Sequence, residues 1–231
     1  MDRRINSVIS LLQESSTGRL RRRAHQMQAV ISYRRKRAKF AAKLKNSGTD
    51  LLEGLAELHV QWFDQDSIGE IYETWGRFLS TTSEWQPGSL RKIGKMMKEL
   101  DFRPPESEDF YPEYFCIGAV MDECCGADFM LCAIAKMAGE FHGFNGCIVH
   151  TPLGFGLSDV DGHMIFPSKD WMTCLVKNHS SVEPWTNSRV LRHTASIIFL
   201  SAMTMQNFRY AYSVASCLSE PGKDDISKIL P

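Results

Sequence analysis

Two runs of cationic side chains stand out near the start of the chain. Arg19, Arg21, Arg22 and Arg23 form the first, and Arg34, Arg35, Lys36, Arg37 and Lys39 form the second, with the ten residues Ala24 to Tyr33 between them. Guanidinium groups pair with phosphate oxygens through parallel N–H donors, and each neutralised phosphate frees condensed counterions. The clusters therefore predict contact with a polyanion, RNA first among them. Their spacing also fits a bipartite nuclear import signal, in which two basic clusters enter two acidic pockets of an import carrier. A solvated charged face, docking on the acidic remainder of the chain and contact with an anionic membrane surface are the competing readings.

The cysteines give a second set of candidates. Cys116, Cys124, Cys125, Cys132 and Cys147 fall within 32 residues, together with His142 and His150. Zinc takes four thiolate or imidazole ligands in a tetrahedron, which Cys132, His142, Cys147 and His150 could supply. Paired CxxC knuckles are absent, so the competing expectation is buried free thiols behaving as small hydrophobes. A nucleophilic thiolate would instead need a lowered pKa and an imidazole base held by a third polar group. Cys124 or Cys125, then His150, then Asp159 or Asp170 offer that order, with Cys125, His150 and Asp170 the set of choice. The order is similar to that of transglutaminase-like and papain-like thiol hydrolases over about 50 residues. That resemblance implies a thiol hydrolase with Cys125 as nucleophile, His150 as base and Asp170 as its orienting group. Asp122 and Glu123 oppose ionisation of the neighbouring thiols.

Positioning these residues calls for a mainly α fold with a small antiparallel β element. Ile5, Val8, Ile9 and Leu12 have helical spacing and stop at the turn formers Ser15 to Gly18. No Pro or Gly interrupts Arg19 to Leu44, which predicts one long, basic, amphipathic helix of about 40 Å. Residues 1–46 then form a basic helical arm and 47–100 a helical subdomain. Residues 101–114, with Pro104, Pro105, Pro112 and five acids, read as an acidic linker, and 115–231 as an α+β subdomain. Within the last, Phe115 to Gly139 reads as helix broken near Gly126. Asp161-Gly162 marks a hairpin turn, Ser168 caps a helix reaching Leu175, Pro184 sits in a loop, and Ser188 to Leu218 forms one or two helices. Asp159 to Gly162 lacks the closing Glu of a calcium loop, so a hairpin turn explains it better.

Composition narrows the function classes. The chain has 231 residues, 43% of them hydrophobic, which excludes disorder as the main state. Its 27 basic and 27 acidic residues cancel only in the sum. The first 45 residues carry thirteen Lys and Arg against Asp2 and Glu14, a net +11, and the remaining body carries −11. Such a body repels nucleic acid, which confines contact to the arm and predicts a steep salt dependence. No basic head with an apolar run opens the chain, and Ala195 to Leu218, broken by Gln206, Asn207 and Arg209, reads as a buried helix rather than a membrane span. No GxGxxG, GxxxxGK[ST], HExxH or GxSxG occurs, so nucleotide cradles, zincin sites and nucleophile elbows have no support. The expectation is an intracellular, nuclear and cytoplasmic protein that binds RNA or another polyanion through the arm. Its acidic body would hold a protein partner or a second copy, and no cofactor is expected unless zinc is bound. A thiol hydrolase and a structural matrix or coat-associated assembly protein are the alternatives.

Overall fold

In the computed structural model, which describes residues 3–44, 48–63, 65–106, 111–175 and 182–218, helices dominate and one small sheet is present. Two compact units are formed, Met1–Ala42 and Lys43–Pro231. In the first, α1 (Arg3–Gln13) folds back on α2 (Gly18–Lys43). Buried Ile9 and Ala24, with Leu12 against them, hold the pair, and Gln13 Nε2 lies 3.3 Å from His25 Nδ1.

The second unit opens with α3 (Leu51–Trp62), α4 (Ile68–Thr82) and α5 (Leu90–Glu99). Asp50 caps α3 by accepting from the Glu53 N–H at 2.8 Å, and Ser67 with Glu70 closes a capping box on α4. Leu90, Ile93, Met96 and Met97 line the buried side of α5, while Arg91, Lys92, Lys95 and Lys98 fill the other. Of the stretch 101–114, expected to separate two subdomains, the described residues 101–106 and 111–114 lie inside this unit. Phe102 is buried, and Arg103 exchanges backbone hydrogen bonds with Cys124 and Gly126. Helices from both sides of the prolines pack together, α3 meeting α6 (Ile117–Glu123), α7 (Asp128–Phe141) and α8 (Asn187–Thr204).

A break near Gly126 was expected, and it falls between α6 and α7, where Cys124 takes a left-handed conformation with φ 50°. Helix α7 is apolar almost all round and correspondingly buried from Phe129 to Ala135. It lies against β1 (Gly146–Thr151) and β2 (Gly154–Asp159). With β3 (His163–Ile165), β4 (Thr173–Leu175) and β5 (Glu183–Trp185) these make an antiparallel sheet in the order β4-β3-β2-β1-β5.

The Asp161-Gly162 turn joins β2 to β3 as expected. Two expectations fail nearby. Ser168 sits in a short 3₁₀ turn, and the residues up to Leu175 pair with β3 instead of forming a helix. Pro184 lies in the middle of edge strand β5, a place that tolerates proline because its outward side needs no donor. Opposed residues share a face, so Ile148, His150, Phe155, Leu157 and Trp185 look toward α7 and α8. Val149, Met164 and Phe166 build a second small core on the reverse side. The chain ends in two helices, α8 and α9 (Phe208–Leu218), joined by a turn at Gln206 with φ 57°.

Candidate functional site

The arm presents its first basic cluster openly. Arg19, Arg21, Arg22 and Arg23 are exposed on α2, and no carboxylate among the described residues of their own unit forms an ion pair with any of them. Arg21 donates to the Ser15 carbonyl at 3.1 Å and Arg22 to the Gly18 carbonyl at 3.4 Å, both local backbone contacts. Glu14 is the one acid among the described residues of that unit. Arg34, Arg35, Lys36, Arg37 and Lys39 sit on the same helical backbone, and their side chains lie outside the described residues. At 1.5 Å per residue the two cluster centres are about 20 Å apart along the axis, close to six base-pair steps of a duplex. Lys43 behaves differently: it belongs to the second unit and is held by Glu53 and Glu57, each at 2.8 Å.

Cys125, His150 and Asp170 each have separate company. The Cys125 backbone bridges Arg103, and burial pushes its thiol pKa up, against the opposing pull of Arg103. Cys124 is raised by burial and then by Asp101, Asp122 and Glu123, and its Sγ lies 3.9 Å from the Met121 carbonyl oxygen. His150 stands in β1 with its ring 4.7 Å from Phe155, and Asp170 pairs with Lys98. Among the described residues no hydrogen bond, ion pair or ring contact joins the three. Burial raises the pKa of Cys116, Cys124, Cys125, Cys132 and Cys147, the opposite of the shift that nucleophilic attack needs.

The zinc set is likewise dispersed. Cys132 is fully buried within α7, where burial holds its pKa well above the ordinary value, and His142 ends that helix. Cys147 and His150 are three apart in one strand, so they point to opposite faces of the sheet. Among the described residues the group whose ligand atoms do converge is Asp159, Asp161 and His163. There Asp159 Oδ1 already accepts the Asp161 and His163 N–H groups at 3.0 and 2.9 Å, which is the work of the β2–β3 turn.

Two constellations escape sequence reasoning because their members are distant in the chain. The first is a cleft of about 380 Å³ lined by His59, Asp66, Glu70, Glu113, Asp122 and Glu123 among others. His59 is buried at its floor. Its Nδ1 accepts the Gly118 N–H at 3.2 Å, so Nε2 carries the ring proton and donates it to Asp66 Oδ2 at 2.8 Å. With both nitrogens engaged the ring ties α3 to α6 rather than serving as a free base.

The second constellation is a ring of aromatics between sheet and helices. Phe155 lies 4.7 Å from Trp185 and 5.5 Å from His193, and Phe129 lies 4.8 Å from His193. Arg189 covers Trp185 at 4.6 Å and pairs with Glu183 at 2.6 Å. Burial, then the charges of His150 and Arg189, lowers the His193 pKa. His150 and Phe155 lie close in sequence, but the partner residues Trp185 and His193 come from β5 and α8.

Comparison with protein-family models, with curated proteins and with solved structures finds no match. Function is therefore argued from the residues alone. Among the described residues no helix is long and apolar enough to cross a membrane.

Proposed function

We propose that the chain binds a polyanion, with RNA as the favoured ligand, through the arginine clusters of α2. The observation that carries this reading is the exposed set Arg19, Arg21, Arg22 and Arg23, with no carboxylate of its own unit paired to it among the described residues. Like charges packed on one helix repel each other, and phosphate groups relieve that repulsion while releasing counterions. The acidic cleft and the −11 body favour the same division of labour, because their net charge disfavours phosphates, the basic side of α5 apart. Phosphate contacts of this kind position a ligand without reading its bases. In this reading the two clusters also serve as an import signal, and the protein works in the nucleus as well as the cytoplasm. Binding, not catalysis, is the activity.

The test is RNA and DNA binding at about 50 and 200 mM salt, with Arg34, Arg35, Lys36 and Arg37 changed to Glu in the full chain. For a single strand each lost phosphate contact flattens the log–log salt slope by about 0.7, so losing four should flatten it by roughly 3. Unchanged affinity and slope would remove the reading.

A further inference from the structure

The apolar residues of the last two helices occupy two sides. Val190, Leu191, Ala195 and Ile198 of α8 face the core, as do Tyr210, Ala211 and Val214 of α9. Tyr210 anchors α9 on α3, its ring edge-on to Trp62 at 4.6 Å and its hydroxyl 3.4 Å from the Leu58 carbonyl oxygen. With those residues turned inward, helical geometry sends the rest outward. Leu200 is 55% exposed, Met203 44%, Met205 58%, Phe208 64% and Tyr212 67%. The connection that displays them is well built: Gln206 takes the left-handed turn, the Asn207 N–H bonds the Ala202 carbonyl at 2.8 Å, and Asn207 Oδ1 accepts the Tyr210 N–H at 3.2 Å. Exposed Leu200 and Met203 sit on the last turns of α8, and Phe208 and Tyr212 on the first turns of α9.

We propose that this end of the α8–α9 hairpin is where a second copy of the chain docks. Composition comes first. Methionine and aromatics are enriched, and charge depleted, at the centres of protein interfaces. From Thr194 to Leu218 the one charged residue is Arg209, in a chain that is 23% charged.

Electrostatics then chooses the occupant. A two-fold contact sets a patch against itself, so every charge on it meets its own like. Two bodies at −11 repel over most of their surfaces, and a stretch free of acids, with Arg209 as its single charge, is where that repulsion leaves room for contact. A nucleic acid or an anionic lipid surface would meet a single cation, Arg209, in this stretch of an acidic body.

Size agrees. Bare aromatic side chains offer about 150–250 Å² each, so five large apolar side chains half to two-thirds exposed contribute on the order of 500 Å² per copy. Two copies reach about 1,000 Å², where specific interfaces begin. A dimer carries two basic arms, which goes beyond single-site polyanion binding: two arms on one strand raise apparent affinity through effective concentration.

Sedimentation of the nuclease-treated full chain over a range of concentrations tests this, at about 50 and 500 mM salt. A monomer–dimer equilibrium that persists or strengthens at high salt is expected, since screening weakens the repulsion between bodies. Phe208→Glu should weaken it about tenfold or more, the scale of losing a central anchor. Met203→Glu serves as a second variant, and an unchanged circular dichroism melt shows that each still folds. A monomer at every concentration overturns the proposal, whatever other protein might bind there. So does a dimer untouched by both variants, or one that dissolves in salt, which would mark arm-to-body attraction instead. Polyanion binding by the monomeric variants is read separately, so either idea can fail alone.

Discussion

The two units divide charge and packing between them in opposite proportions. Among the described residues the arm holds α1 to α2 through Ile9, Ala24 and Leu12, with exposed arginines close by on α2. The body buries α7 on nearly every side and spends its carboxylates on a cleft, caps and turns. A surface dense in one charge and a deep core compete for the same residue positions. Segregating them lets the body supply stability while the arm keeps its cations available, at the cost of an arm with a thin core of its own.

The sharpest way to break this contrast is to cut both cores. Leu131→Ala opens a cavity in the centre of α7 and should cost about 2–5 kcal/mol, lowering the body's melting temperature by many degrees. Ile9→Ala should leave that transition where it is and show only as faster amide exchange in α1. If both variants move the same transition equally, the units are not energetically separate.

A smaller effect is expected at Gly118. A Cβ there would stand 2.5 Å from His59 Cε1, and the ring cannot retreat while Asp66 and the Gly118 N–H hold it. Gly118→Ala should therefore cost about 1–3 kcal/mol in thermal unfolding of the body, leaving RNA affinity unchanged. A loss of RNA affinity would show that the cleft, not the arm alone, matters to binding.

Smallest is a pH effect confined to the body. Burial, then His150 and Arg189, keeps the His193 imidazole below its ordinary 6.5, so the unfolded chain takes up the proton first. Stability is complete above 6.5 and declines as pH falls through that value toward the folded pKa. Melting from pH 7.5 to 5 should show the decline, and His193→Gln should flatten it.

Much of the architecture was legible where local chemistry decides it. The capped starts at Asp50 and Ser67, the break beside Gly126 and the Asp161-Gly162 hairpin all follow from residues near one another in sequence. The failures are where distant partners decide. Thr173 to Leu175 become strand because β3 offers a free edge, and Glu183 to Trp185 because β1 does. Ala195 to Leu218, expected as buried helix, leaves Leu200, Met203, Met205, Phe208 and Tyr212 outside. The His59–Asp66 pair was invisible for a similar reason: its fixing donor, the Gly118 N–H, lies 59 residues away.

The proline at the middle of β5 reaches further than its own strand. An outermost ladder with intact N–H groups invites a passing peptide to join as one more rung, and repetition of that event is how fibrils grow. Pro184 withholds the central donor from any such newcomer, and at the opposite margin β4 offers three residues among those described. The folded body is thus a poor template for cross-β recruitment, even though its apolar content would otherwise make it a tempting one.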